Sequence, residues 1–61
     1  MRRAVAAFQT GNFAEAERLC RIILASGPDD FAALHLSGTI AARRQRFEEA
    51  DRLLTRAIAV N

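Results

Sequence analysis

Displaced by 34 residues, this chain lies on itself. Phe13 falls on Phe47, Glu15 on Glu49, Ala16 on Ala50, Arg18 on Arg52 and Leu19 on Leu53. Glu17 meets Asp51, Cys20 meets Leu54, Leu24 meets Ile58 and Ala25 meets Ala59, so the apolar positions keep their character. A period of this length excludes most folds at once. Each repeat must be one supersecondary unit that buries an apolar face against its neighbour. The 61 residues make one small domain, with unit one at 1–28 and unit two at 29–61.

Each unit resolves into two helices. Apolar residues at Phe13, Ala16, Leu19, Cys20, Ile23 and Leu24 step along one face of a helix, and so do Phe47, Ala50, Leu53, Leu54, Ala57 and Ile58. Asn12 with Glu15 three residues on forms a capping-box start. Glu17–Arg21 and Glu48–Arg52 are i,i+4 pairs, each worth ~0.2–0.5 kcal/mol. Ser26-Gly27-Pro28-Asp29-Asp30 stops one helix and starts the next: Gly27 in a left-handed C′ position, Pro28 barred from extending the helix, Asp29 or Asp30 as the cap. The pattern predicts helices at about Arg2–Thr10, Phe13–Ser26, Phe31–Arg44 and Phe47–Val60, and no strand.

The third of these helices is apolar on two sides. Phe31, Leu34, Gly38 and Ala41 share one face, while Ala33, Leu36 and Ile40 share nearly the opposite one. It is expected to be packed from both flanks, as an interior helix of a stack is. The remaining strip holds Ala32, His35, Thr39 and Arg43, within roughly 80° of one another.

The period and the helix-turn-helix unit resemble the tetratricopeptide repeat. In unit two, Leu34 stands at that family's large aliphatic or aromatic position, Gly38 at its small glycine and Ala41 at its tyrosine. Phe47 takes the second aromatic, Ala50 the helix-packing alanine, Leu54 the bulky position and Ala57 the second alanine. In unit one, Gly11, Phe13, Ala16, Cys20, Ile23 and Pro28 fit the pattern. Two departures stand out: Ser37 replaces a leucine before Gly38, and Gln45 stands where unit one has Gly11. If that position is left-handed, a residue other than glycine costs ~1 kcal/mol or more. The resemblance implies an all-α fold of antiparallel helix-turn-helix repeats, a right-handed α-solenoid. Unit one lacks the opening turn of its first helix, so the chain is expected to be part of a longer array or to be completed by another copy.

Composition narrows the chemistry. Nine basic residues, all arginine, against seven acidic ones leave a net charge of +2. The cluster Arg43, Arg44, Arg46, Arg52 and Arg56 is interleaved with Glu48, Glu49 and Asp51, with no Tyr or Trp, which favours a solvated ion-paired surface over a nucleic-acid site. The lone Cys20 lies on a buried stripe, where a thiol is inert. His35 has no second ligand within helical reach, and Ser37 lies on another face from it. Asp29 and Asp30 are helix-start residues rather than a catalytic pair. No metal, cofactor or catalytic site is expected, and no enzyme. The apolar run after Met1-Arg2-Arg3 stops at Gln9, short for a leader, and no stretch approaches the ~20 residues that span a bilayer. A single cysteine gives no sign of an oxidising compartment, so the cytoplasm is the expected location.

The function expected is binding of another protein's peptide or helix in the groove of the repeats. The strip supplies Val5, Gln9, Ala32, His35, Thr39 and Arg43, with Arg43 facing an acidic group. The first helices of each unit line the concave face in the resembled family, in agreement with this strip. The lysine and asparagine pair with which some members hold a C-terminal carboxylate has no counterpart at Val5, His35 and Thr39. The competing expectation is a scaffold piece that self-associates through apolar ends into a homo-oligomer.

Overall fold

Two turns of the same construction, one period apart, set the architecture. At the first, Asn12 N donates to Ala7 O (2.8 Å) and Gly11 N to Phe8 O (3.0 Å). At the second, Arg46 N donates to Ala41 O (2.8 Å) and Gln45 N to Ala42 O (3.0 Å). Both satisfy the last carbonyls of a helix through a left-handed residue, the Schellman arrangement. That residue is Gly11 at φ +82° in one turn and Gln45 at φ +63° in the other. The strain anticipated at Gln45 is therefore present.

The computed structural model describes Met1–Val60 and is all-α; Asn61, the last residue assigned to unit two, lies outside the described residues. Four helices follow in order: α1 (Arg2–Gln9), α2 (Phe13–Ser26), α3 (Phe31–Arg43) and α4 (Phe47–Val60). Thr10 and Arg44, expected as last helical residues, are instead the C-caps of α1 and α3. Asn12 Oδ1 accepts from Glu15 N (3.4 Å) to start α2, and Asp30 Oδ1 accepts from Ala33 N (2.9 Å) to start α3. At α4 the equivalent of Asn12 is Arg46, which has no acceptor to offer, and Glu48 and Glu49 in the first turn face the helix dipole instead.

Gly27 differs from expectation. Its φ of −135° and ψ of 86° are not left-handed. The following Pro28 forces the residue before it toward extended backbone, and this restriction outweighs glycine's freedom. Asp30 N closes the turn by donating to Gly27 O (3.0 Å).

Each helix packs on its neighbour in sequence: α1 on α2, α2 on α3, α3 on α4. The middle contact is a cluster of Ala4, Ala16, Cys20, Leu36 and Ile40, with Ala7, Phe8, Phe13 and Leu19 against it. The opposite flank of α3 meets α4 at Gly38, where an added Cβ would lie 2.7 Å from Leu54 Cγ and 3.5 Å from Ala50 O. Leu34, Ala41, Ala50 and Ala57 are buried alongside. α3 is thus packed on two sides, as its residue pattern implies. One period earlier the Gly38–Leu54 pair is Ala4 and Cys20, a larger residue facing a smaller one.

Ion pairs hold the two units together more than they hold single helices. Glu17, only 14% exposed at its side chain, accepts from Arg44 Nη1 (3.2 Å) and Arg46 Nη1 (2.9 Å), while Arg21 lies at 3.8 Å. At the other end of α3, Arg56 Nη2 donates to Pro28 O (3.1 Å). Among the described residues Glu48 and Arg52 form no ion pair; Arg18 instead grips Glu15 with two hydrogen bonds (2.9 and 2.7 Å). Three residues of the anticipated apolar faces are uncovered. Phe31 is 39% exposed, Phe47 66% and Ile58 76%. Phe13 meets Phe8 with the rings tilted by 37° and centroids 5.6 Å apart, but one period on the residue equivalent to Phe8 is Ala42.

Two substitutions follow. Gly38→Ala forces overlap with Leu54, and the loss of ~1–3 kcal/mol typical of overpacking exceeds alanine's helix-propensity gain of ~1 kcal/mol. Urea unfolding is expected to show a net destabilisation that Leu54→Ala partly relieves in the double variant, so the two effects are not additive. Gln45→Gly removes a strained side chain and is expected to stabilise the chain by ~1 kcal/mol in the same assay.

Candidate functional site

α1 and α3 bear the six residues of the expected groove. Val5, Gln9, Ala32, His35 and Arg43 are exposed, and Thr39 is half-buried. Two matched pairs lie one period apart, Val5 with Thr39 and Gln9 with Arg43. The Arg43 guanidinium stands 5.5 Å above the centre of the Phe8 ring. This cation–π contact, worth ~0.5–1 kcal/mol at an exposed site, joins the end of α3 to the end of α1. It also fixes where the charge sits, at the edge of both helices. Thr39 Oγ1 donates to His35 O (2.9 Å), so the hydroxyl proton is turned to its own helix and a ligand meets the methyl group and the oxygen lone pairs.

His35 looks toward a different surface. Its ring stacks on Phe31 at 5.8 Å with 24° between planes. The two rings line an apolar cleft of about 460 Å³ together with Leu54, Ala57 and Ile58. The other five strip residues do not line it. The structure therefore ties Arg43 to Phe8 of α1 and brings His35 together with residues that the pattern had assigned to packed faces. Phe31 and Ile58 carry an apolar signal in the sequence, but the signal is the same for a covered position and an uncovered one.

The arginines are largely engaged. Arg44 and Arg46 hold Glu17, Arg56 holds Pro28 O, and Arg43 covers Phe8. Arg52 and Arg46 line a second cleft of about 450 Å³ with Gln45, Phe47, Glu48 and Glu49, where both signs of charge meet. Among the described residues no three of His, Cys, Asp and Glu gather to hold a metal ion. No helix among them is long and apolar enough to cross a membrane.

Cys20 is fully buried. Burial raises its thiol above the ordinary range, while a hydrogen bond with Ser37 acts in the opposite direction. The neutral thiol is what the folded state favours, and the unfolded chain gives up the proton first. Stability from this group is full at neutral pH and declines as pH rises through and beyond the usual thiol range. Thermal unfolding across mildly alkaline pH is expected to show that decline, with a shallower slope in Cys20→Ala. A thiol reagent is expected to react at least ~10-fold more slowly with the native chain than with the urea-unfolded one, since reactivity follows thiolate fraction and access.

No protein-family model matches the chain, and no curated protein or solved structure matches it either.

Proposed function

We propose that the chain is a protein-interaction module of the tetratricopeptide kind, binding a peptide or helix of another protein along α1 and α3. The observation that carries this reading is the seam joined by Arg43 and Phe8. It links the ends of the two helices, α1 and α3, that open successive units, with Val5 and Thr39, and Gln9 and Arg43, at equivalent positions one period apart. The repeated turns, the close approach at Gly38 and packing chiefly between sequence neighbours support the repeat assignment and a solenoid arrangement. The seam offers one amide, one guanidinium and small apolar surface, which suits a segment with a carboxylate opposite Arg43 and short aliphatic side chains beside Val5. Nothing in this chemistry calls for catalysis. A reduced, buried cysteine suits the cytoplasm.

The test is selection of 12-residue peptides displayed at random against the immobilised chain, followed by anisotropy titration of the selected sequences. Gln9→Ala and Arg43→Gln are each expected to weaken binding by ~5–10-fold, the loss of a principal contact, with the circular dichroism unchanged. Selected peptides should contain an acidic residue whose replacement by its amide costs a similar factor. Peptides that bind both variants and the parent equally would overturn the groove.

A further inference from the structure

The turn between α3 and α4 breaks two local rules, and the arginines on either side of Gln45 meet at one carboxylate. Gln45 holds φ +63° where the equivalent turn has Gly11, and Arg46 stands where Asn12 caps a helix. The repeat calls for neither residue, because glycine and asparagine perform the same two tasks one period earlier. Backbone strain and broken local rules of this kind gather at ligand clamps and switches. What the turn presents is a pair of guanidinium groups on Glu17, Arg44 Nη1 at 3.2 Å and Arg46 Nη1 at 2.9 Å, with Arg21 Nη2 of α2 at 3.8 Å. The residues one period away from these three arginines are Thr10, Asn12 and Thr55, so the cluster belongs to this place and not to the repeat.

Glu17 alone does not account for three arginines. A single bidentate guanidinium satisfies a carboxylate. Here Arg44 and Arg46 each commit one N–H to Glu17, and Arg21 lies beyond hydrogen-bond distance. Two positive charges are left uncompensated, on side chains that reach the surface: Arg21 is 75% exposed, Arg46 43% and Arg44 34%. Glu15 is held by Arg18, and Glu48 and Glu49 line a cleft with Arg46 that includes neither Arg21 nor Arg44. We propose that Arg21, Arg44 and Arg46 form a binding site for a phosphate monoester dianion. Its charge matches the surplus, and its terminal oxygens accept from the guanidinium N–H groups that Glu17 leaves free. A phosphodiester, with a single charge, matches it less well. Glu17 meanwhile offsets the mutual repulsion of the three cations. The site is built from residues inside the chain, none of them in the peptide groove, so the inference stands whether or not that groove binds.

The experiment follows the arginine side-chain Nε–Hε resonances of the isotopically labelled chain during titration with inorganic phosphate at fixed ionic strength. A second titration uses an alanine peptide carrying one phosphoserine. Saturable shifts are expected at Arg21, Arg44 and Arg46, with Arg2, Arg3 and Arg18 unmoved. Arg21→Gln leaves both hydrogen bonds to Glu17 in place and is expected to weaken binding ~10-fold, the size of one charge-assisted hydrogen bond. Arg2→Gln makes the same change in net charge at the start of α1 and is expected to leave the affinity as it was. Glu17→Gln removes the competing charge and is expected to tighten binding severalfold, with circular dichroism checking that the variant stays helical. A phosphopeptide that binds ~10-fold more tightly than inorganic phosphate identifies a phosphorylated protein segment as the source, and equal affinities identify a small phosphate ester. Shifts that do not saturate, or that spread over all the arginines, would overturn the proposal. So would equal losses in Arg2→Gln and Arg21→Gln, or tighter binding of an RNA oligomer that lacks a terminal phosphate.

Discussion

The rest of the molecule depends on how closely α3 approaches α4. At Gly38 the gap is too small for a single extra carbon, with Leu54 Cγ and Cδ2 already where a Cβ would stand. That closeness leaves Leu34, Ala41, Ala50 and Ala57 buried and lets small side chains make a core. Among the fully buried side chains, the largest are Leu34, Ile40 and Cys20. Alanine gains little from leaving water, so the helices must come near enough for dispersion between backbones and methyl groups to contribute. A bulkier residue at position 38 would separate the pair and loosen the flank of α3 that unit one does not support.

The turns and the core were legible in the sequence because each rests on local chemistry. Asn12 and Asp30 announce helix starts, and the coincidence of Gly11 with Gln45 under the period marks a position needing left-handed backbone. The two-sided character of α3 followed from Leu34 and Gly38 on one face and Leu36 and Ile40 on the other. Gly27 was misjudged because its neighbour Pro28 governs its ψ more strongly than its own lack of a side chain. Helical spacing offered Arg21 to Glu17, but Arg44 and Arg46 arrive closer from across the inter-unit contact, a distance in sequence that periodicity does not encode.

The candidate site was legible only as a list of accessible positions. Spacing put His35 on the same strip as Thr39 and Arg43, and the helix does place them on adjoining turns. What spacing omits is the neighbour: Phe31 draws the imidazole toward the α4 side, and Phe8 draws the guanidinium toward α1. A strip of one helix is thereby shared between two surfaces.

The two polar contacts across the units lie at opposite ends of α3, Glu17 with Arg44 and Arg46 at one and Arg56 with Pro28 O at the other. A helix of 13 residues separates them by ~20 Å. An apolar contact alone leaves two packed layers free to twist about the axis through its centre, because dispersion has little directional preference. Two pins so far apart remove that torsion and set the angle at which one unit follows the last. The pin at Glu17 is ionic and partly solvated, so counter-ions weaken it without touching the helices. Ionic strength then acts on the angle between the two helix layers that this pin joins.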